Sequence, residues 1–443
     1  MRTKMVEEFS KESVQALSAL KKEPTWMLDR RLEAWAAFEA LPLPGPSNEV
    51  WRHTDFSFLE WEQFLPYALP AEEMGRLEGL PHKIRQGSFV DQNCAGVSVQ
   101  IDSATVFTRS SKMLAKKGII FASLEEGIHR FPELCQEYLM TQGVQPSENK
   151  FAALHGAFWG DGVLLYLPPG ISEEQPFYAS VYCSRPSLAL FHHTLIILDK
   201  GSSATFVQEV CSQNSQTPVL NIPVIEVFLK EGAQLRYINR VEWEGPSITI
   251  SFQRNILGRN ARIETLSMHS GGRIHKAHVE SHLKEPGGIS NMMGMSFGEG
   301  NQQFDHYTLQ EHLAPHTQSD LLYKMALRDQ SRSVYYGIIR IAKDAPGSHA
   351  FQTNRNLILG EEARADSIPV LEIEADDVKC SHAAAMGPVD QDQLFYLMTR
   401  GLHYQEAVKM LVEAFFEPIL VRIPEDLLRG KLRAWLHRKI GVL

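Results

Sequence analysis

The feature that most constrains the fold of this chain is a repeated strand–turn–strand pattern in its middle part. In each instance an apolar residue is followed by a short polar turn and then by a new strand-like run. The apolar residues that mark the instances are Leu198, Leu229, Leu257, Phe297, Leu327 and Leu359. They lie 31, 28, 40, 30 and 32 residues apart. Because each such unit can bury its inner side chains against the next unit, the pattern predicts a stacked β architecture. A large β-sandwich with coincidentally spaced hairpins is the alternative.

The 443 residues divide into three stretches on this basis. Residues 1–145 are predicted to form a mainly helical N-terminal domain, residues 146–385 the β core, and residues 386–443 a C-terminal helical domain. A helix face is clearest after Pro24, where apolar residues recur at intervals of three and four until a proline-rich segment at 42–46 ends the pattern. Below residue 146, a short strand at 118–121 and a helical stretch at 124–139 are also predicted.

The C-terminal stretch is predicted to hold three helices. Asp390 and Gln393 have the spacing of a capping box at the start of the first helix. Pro418 is expected to stop the second helix, and the third is expected to start at Pro424. From Pro424 onward the chain carries five Lys or Arg residues against two acids. This basic tail is a candidate docking face for a partner protein, and a solvated helix face is the alternative.

The charge balance excludes several classes of protein. With 53 acidic and 44 basic residues the formal net charge is −9, which does not fit the basic surface of a nucleic-acid binder. The apolar runs are far shorter than the roughly 20 residues of a membrane span, and the first 18 residues lack the apolar core of a signal peptide. We therefore expect a cytoplasmic protein that binds neither nucleic acid nor membrane.

Familiar catalytic motifs are missing, while histidine is concentrated in one region. The sequence has no phosphate-binding loop, no nucleophile elbow and no zinc-protease motif. Seven of the 17 histidines lie between His269 and His316. Alternation along a strand places His278, Glu280 and His282 on one face, which could ligate a metal or line an exposed sheet surface. The exposed surface is the interpretation that we favour.

The sharpest local feature is the pair Cys380 and His382. A thiol and an imidazole two residues apart share one strand face and form a soft pair that can hold iron, copper or zinc. Two ligands do not complete a stable site, so a site completed by another subunit would suit transient metal or sulfur handling. The other cysteines, at positions 94, 135, 183 and 211, show no metal or redox spacing and are expected to be buried core residues.

From residue 312 onward the sequence resembles the SufB/SufD family of iron–sulfur cluster assembly proteins. The matching segments follow one another in the family's order. They are His316–Lys324, Ser333–Ile339, Gln352–Leu357, Ala363–Pro369, Asp377–His382 and Leu394–Tyr396. The N-terminal segment Glu49–Asp55 and the stretch Leu28–Pro44 resemble SufD in particular. The SufB type is similar but has a cysteine where this chain has Ala365, and the Cys-Ser-His at 380–382 is of the SufD type.

The resemblance implies a right-handed parallel β-helix core between helical ends. It also implies a scaffold without catalytic residues, which pairs with SufB through the core and with the ATPase SufC through the C-terminal helices. In that picture a transient iron–sulfur cluster forms at the SufB–SufD interface, where His382 supplies an imidazole and Cys380 lies beside it. No stably bound cofactor is expected, and neither a reduced-flavin requirement of the complex nor a homodimer is decided.

One departure from the family pattern concerns the residues after His382. The family usually continues with Gly-Ala-Thr, whereas this chain has Ala383, Ala384 and Ala385. The added bulk is expected to shift the turn after the strand. Two alternative functions stay open on the sequence, namely a β-helix enzyme acting on carbohydrate or through a metal, and a solenoid that only binds other proteins.

Overall fold

The computed structural model describes residues 5–70, 84, 94–423 and 426–441. Its helices are α1 (Lys11–Lys21), α2 (Thr25–Ala40), α3 (Lys112–Lys116), α4 (Leu124–Arg130), α5 (Pro132–Tyr138), α6 (Lys150–Phe158), α7 (Gln391–Thr399), α8 (Tyr404–Leu420) and α9 (Asp426–Ile440), with a 3-10 turn at Trp61–Gln63. Pro424, where the last helix was expected to begin, lies outside the described residues.

The strands up to residue 257 are β1 (Met5–Val6), β2 (Tyr67–Ala68), β3 (Gly96–Ile101), β4 (Ala104–Ser110), β5 (Ile120–Ser123), β6 (Asp161–Leu167), β7 (Phe177–Cys183), β8 (Ala189–Leu190), β9 (His192–Leu198), β10 (Ser203–Ser212), β11 (Leu220–Asn221), β12 (Val224–Leu229), β13 (Gln234–Trp243) and β14 (Ile248–Leu257). The later strands are β15 (Arg262–Gly271), β16 (Ile274–Leu283), β17 (Ile289–Gly298), β18 (Gln303–His312), β19 (Gln318–Leu327), β20 (Arg332–Ile341), β21 (Ser348–Ile358), β22 (Arg364–Ile373) and β23 (Val378–Pro388).

Consecutive long strands alternate between two sheets. One sheet has the spatial order β23-β21-β19-β17-β15-β13-β10-β7-β3-β4, and the other has the order β22-β20-β18-β16-β14-β12-β9-β6-β5. From β6 and β7 onward, neighbouring long strands in each sheet are parallel, which excludes the hairpins of a sandwich. The core is therefore a parallel-strand β-solenoid of about eight turns with helices at both ends, as predicted.

The uneven repeat spacing has a topological cause. Leu198, Leu229 and Leu257 end strands of the second sheet, whereas Phe297 and Leu327 lie at the ends of strands of the first sheet. The 40-residue interval thus spans one and a half turns of the solenoid, while the others span one turn. The turns after Leu198 and Leu229 place the third residue after the leucine in left-handed backbone, with φ of 65° at Gly201 and 69° at Gly232, and glycine adopts this conformation without strain.

Helices cover the outer faces of both sheets. The N-terminal helices α2 and α6 pack apolar residues such as Trp35 and Phe158 on the second sheet, around Leu195 and Phe252. The C-terminal helices α8 and α9 pack a second apolar cluster, which includes Trp435, on the first sheet. The interior of the early turns is filled by a third cluster of aliphatic and aromatic side chains. None of the helices in the described part of the chain has both the length and the apolar character needed to cross a bilayer.

The segment that follows α2 is anchored to the solenoid by buried charge. Lys276 Nζ lies 2.8 Å from Asp305 Oδ1 and donates to the carbonyl of Val50 at 2.6 Å. Thr54 Oγ1 donates to the second oxygen of Asp305 at 2.6 Å, and Trp51 stacks near the ring of His278. The N-terminal segment at 49–55 therefore packs as a strap across the second sheet.

The structure corrects two helix boundaries. Pro418 lies inside α8, which continues to Leu420, so this proline does not stop the helix. The helical stretch predicted at 124–139 is two short helices, because Pro132 begins a new helix directly after Phe131. The boundaries at 145 and 385 stay predictions. Strands β3 to β5, which lie before residue 145, are hydrogen-bonded into the two sheets.

Candidate functional site

Cys380 and His382 lie on β23, the last strand of the first sheet. This strand pairs in parallel with β21, so that Cys380 is opposite Ala350 and His382 is opposite Gln352. Because side chains alternate along a strand, the two residues share one face, as the sequence predicts. That face is the inward face of the solenoid, since Ala350 and Gln352 are buried.

The two side chains differ in their surroundings. Cys380 is half-buried and packs against an apolar cluster that contains Ile339, Ile341 and Ala350. Burial raises the pKa of the Cys380 thiol to about 11, which keeps it protonated at neutral pH. His382 is exposed, so its imidazole is open to solvent and to a partner. The histidine is therefore the more accessible candidate ligand of the pair.

The described residues do not supply a complete metal site around this pair. Within the described ranges, no group of three or more His, Cys, Asp or Glu side chains has an arrangement that could hold a metal ion. Cys380 and His382 would therefore need ligands from another molecule. Such ligands could approach β23, which is paired on one side only in the described structure.

The open end of the solenoid exposes apolar side chains beside this pair. It is formed by β22 and β23, the terminal strands of their sheets. Phe351, Leu371, Ile373 and Met386 are all exposed here. Unpaired strand edges next to exposed apolar side chains are the usual features of a surface that another strand or protein covers.

The residues after His382 continue the strand. Strand β23 runs on through Ala383, Ala384 and Ala385 to Pro388. The three alanines are therefore part of the strand, and the shift that their added bulk is expected to cause in the turn after the strand stays a prediction.

The face of His278, Glu280 and His282 is largely buried, which contradicts the expected exposed surface. His278 packs against Trp51 of the strap at 49–55, and His282 is bound by two carboxylates, at 3.1 Å from Glu280 and 2.5 Å from Glu311. Nothing in the local sequence pattern indicates that a distant segment packs on this face. Glu280, His282 and Glu311 form a charge network that also includes Arg254.

Three further histidines stack inside the solenoid. The rings of His269 and His275 have centroids 3.8 Å apart, and His269 Nδ1 lies 3.2 Å from His306 Nε2. Burial and the neighbouring imidazoles hold the pKa of His269 well below its ordinary value, and burial lowers the pKa of His306 to about 4. The three rings are neutral at pH 7 and act as packed core residues, with one hydrogen bond between His269 and His306.

Sequence reasoning missed a second buried network. His155 Nε2 lies 3.0 Å from His193 Nδ1, and His193 Nε2 lies 3.1 Å from Glu226 Oε2. Glu226 also accepts hydrogen bonds from the backbone of Met140 and Val144. The sequence signal that could have revealed this network is Glu226, a lone acid in the apolar strand 224–229, because a buried carboxylate requires partners.

The C-terminal helices carry both buried and exposed apolar residues. On α9, Leu432, Trp435 and Leu436 are buried against the first sheet, and Lys439 pairs with Glu299. The apolar side of the basic tail is thus packed against its own chain, and the tail's role as a docking face stays a prediction. Exposed apolar side chains lie on α7 and α8, where Phe395 is 71% exposed. The others are Tyr396, Met398, Tyr404 and Met410.

Comparisons with known proteins agree with this architecture. Residues 181–415 match the family model described as the SufBD core domain of SUF-system FeS cluster assembly, and residues 7–178 match the SufBD protein N-terminal region. An "Iron-sulfur cluster assembly SufBD family protein" of Staphylococcus epidermidis is 29% identical over 421 residues, which is 93% of this chain and 89% of the relative.

Two other relatives are similar to nearly the same extent. The "Iron-sulfur cluster assembly protein SufB" of Bacillus subtilis is 28% identical over 425 residues, covering 94% of this chain and 90% of the relative. A SufBD family protein of Staphylococcus aureus is 29% identical over 421 residues, again covering 93% of this chain and 89% of the relative.

Proposed function

This chain belongs to the SufBD family of iron–sulfur cluster assembly proteins, and on that premise we propose that it is a SufD-like, non-catalytic scaffold subunit of a Suf complex. The observation that carries the proposal is His382, a solvent-exposed imidazole on a terminal strand that is paired on one side only in the described structure. A cluster assembled there would be bound only transiently, by this chain and a partner together.

Two sequence features favour a SufD-like role over a SufB-like role. Position 365, where the SufB type has a cysteine, is Ala365, which cannot ligate iron. Cys380 and His382 instead stand on the neighbouring sheet. A cluster at this end would therefore need thiolates from a SufB-type partner, while His382 supplies one nitrogen ligand.

Cys380 is the less favourable ligand of the two. Its thiol is protonated at neutral pH and partly covered by aliphatic side chains. Iron binding would have to displace that proton and move the side chain, because the thiolate is the form that ligates metal. We therefore assign the ligand role first to His382.

The exposed aromatic and methionine side chains of α7 and α8 are the surface that we propose for docking a SufC-type ATPase. ATP hydrolysis would then take place in that partner, in agreement with the missing phosphate-binding loop of this sequence. The remaining apolar residues of α8 hold this surface firmly on the solenoid. The cytoplasm is the compartment that we propose, and the presence of all five cysteines as thiols fits a reducing environment.

Co-expression tests this function directly. The chain would be produced under anaerobic conditions with SufB-type and SufC-type partners, and the purified complex would be analysed for subunit stoichiometry, iron and cluster absorbance. We expect a complex that contains all three chains and a cluster that is lost when the SufB-type chain is omitted. Purification of this chain without either partner, or with tightly bound stoichiometric iron when it is alone, would refute the proposal. A homodimer in the absence of partners is compatible with the same open strand edges.

A further inference from the structure

Gln352 lies directly beside His382 in the strand ladder. The two residues are register partners on β21 and β23, and both are on the inward face. Neighbouring strands in a sheet are about 4.8 Å apart, so the two side chains are within reach of one another. Gln352 is 2% exposed, whereas His382 lies at the surface of the same ladder.

The amide of Gln352 has a fixed orientation. Its Nε2 donates to the backbone carbonyl of Gly337 at 3.2 Å, and a carbonyl can only accept a hydrogen bond. The other end of the amide, Oε1, is therefore an acceptor. This oxygen is buried, and no donor in the described structure bonds to it.

A buried acceptor without a donor is unfavourable, so the environment of Gln352 favours any conformation that supplies a hydrogen. Two polar groups at this end of the solenoid could do so. Ser367 Oγ is likewise buried without a partner, but it lies on the opposite sheet, in the register of Tyr335. His382 lies on the adjacent strand and carries a ring N–H that no residue in the described ranges engages.

We propose that Gln352 is a positioning residue for His382: its Oε1 accepts the hydrogen of His382 Nδ1 and so leaves Nε2 unprotonated at the open end. A neutral imidazole has one N–H and one lone pair, and the hydrogen bond at one nitrogen decides which nitrogen can ligate a metal. The link to cluster building rests on the proposed function, whereas the hydrogen bond is a property of this chain alone.

The arrangement explains the use of an amide at this position. An amide oxygen that accepts from the ring hydrogen fixes the ring plane and its tautomer without adding a charge to the solenoid interior. Loss of a hydrogen bond that orients a metal-ligating histidine typically lowers metal affinity or activity by 10–100-fold. We expect an effect of that size on iron retention at the open end.

The test is the tautomer of His382, read from ¹⁵N chemical shifts of the full chain labelled at histidine and recorded at pH 8.5. The His382→Asn spectrum identifies the His382 signals. We expect the Nδ1-protonated form in the wild type. Gln352→Met removes the acceptor at similar volume and is expected to convert His382 to mainly the Nε2-protonated form. Gln352→Glu keeps an acceptor and is expected to retain the Nδ1-protonated form.

Two control variants distinguish a specific effect of Gln352 on the His382 ring from a general disturbance of the structure. Thr353→Val alters the next residue on β21, which points to the other face, and Ser367→Ala removes the competing donor. Both are expected to leave the His382 signals unchanged. The inference is overturned if the wild type has the Nε2-protonated form, if Gln352→Met leaves the shifts unchanged, or if Ser367→Ala alone reproduces the effect of Gln352→Met.

The same variants in the co-expressed complex distinguish this inference from the proposed function. If Gln352→Met changes the tautomer and cluster yield falls several-fold, both hold. If the tautomer changes while Gln352→Met and His382→Ala build clusters at the wild-type level, the positioning holds and the proposed function fails. If the tautomer is unchanged while His382→Ala lowers the yield, the inference fails and the function stands.

Discussion

His193 and Glu226 share a proton inside the protein, with His193 Nε2 3.1 Å from Glu226 Oε2 and both side chains fully buried. The direction of these hydrogen bonds follows from the first one in the series, which joins His155 to Ile222. The carbonyl of Ile222 can only accept, so His155 Nδ1 donates to it at 2.7 Å. His155 Nε2 then accepts from His193 Nδ1, and Glu226 must provide the hydrogen between itself and His193.

This network predicts a stability that falls at alkaline pH. Burial raises the pKa of Glu226 to about 8, against an ordinary value of 4.5, so the folded state keeps a proton that the unfolded state releases. The contribution is complete below pH 4.5 and is lost as the pH rises to about 8. The unfolding free energy should fall by up to about 3 kcal/mol between pH 6 and pH 8 in urea titrations.

A matched pair of variants isolates this effect. Glu226→Gln cannot ionise and should lose the alkaline decline, although it is less stable at pH 6 because one backbone donor loses its oxygen. Glu231→Gln, at an exposed carboxylate paired with Lys200, should keep the decline of the wild type. Equal slopes for the wild type and Glu226→Gln would show that Glu226 is ionised in the fold.

The buried ion pair beneath the strap gives a second prediction. Lys276→Met leaves Asp305 buried without its cation and should lower the unfolding free energy by about 3–5 kcal/mol. The double variant Lys276→Met with Asp305→Leu should recover part of that loss, because no charge is then left unpaired. Lys200→Met, at an exposed pair, should cost less than about 1 kcal/mol in the same urea titrations.

The sequence predicted those parts of the fold that depend on local pattern. The spacing of Leu198, Leu229 and Leu257 reports one turn of the solenoid each, because every turn repeats the same two strands. The strand alternation also placed Cys380 and His382 on one face correctly. These features require only the periodicity of the strand and the chemistry of short turns.

Contacts between distant segments could not be read in this way. His278 and Glu280 were expected at the surface because nothing near them in sequence covers them, yet Trp51 of the strap packs on His278 and Arg254 pairs with Glu280. The basic tail has a contact of the same kind, since Lys439 pairs with Glu299, more than a hundred positions earlier. Burial by remote segments is decided by the complete set of packed faces, which a local pattern does not contain.

The proposed ligand makes a specific prediction for cluster building. His382→Ala should leave the subunit stoichiometry unchanged and lower the stability of the chain only by the loss of its one proposed hydrogen bond to Gln352, while iron and cluster absorbance of the co-expressed complex fall several-fold. His349→Ala is the control, since His349 lies on the neighbouring strand and points to the opposite face. A cluster yield equal to that of the wild type in His382→Ala would assign the histidine a structural role.

The exposed side chains of α7 and α8 predict where the ATPase docks. Replacing Phe395 and Tyr396 with serine should lower ATPase co-purification at least tenfold, because burial of two aromatic rings at an interface contributes several kcal/mol. The stability of the isolated chain should be unchanged, since both rings are exposed.

Point variants are preferable to removal of residues 388–443, because that deletion would also uncover the apolar face of the first sheet that Trp435 covers. Phe351→Ser, at the open end of the solenoid, is the matched control: it should weaken pairing with the SufB-type chain and leave ATPase binding intact. If the serine variants of α7 retain the ATPase while Phe351→Ser loses it, the docking surface lies at the open end instead.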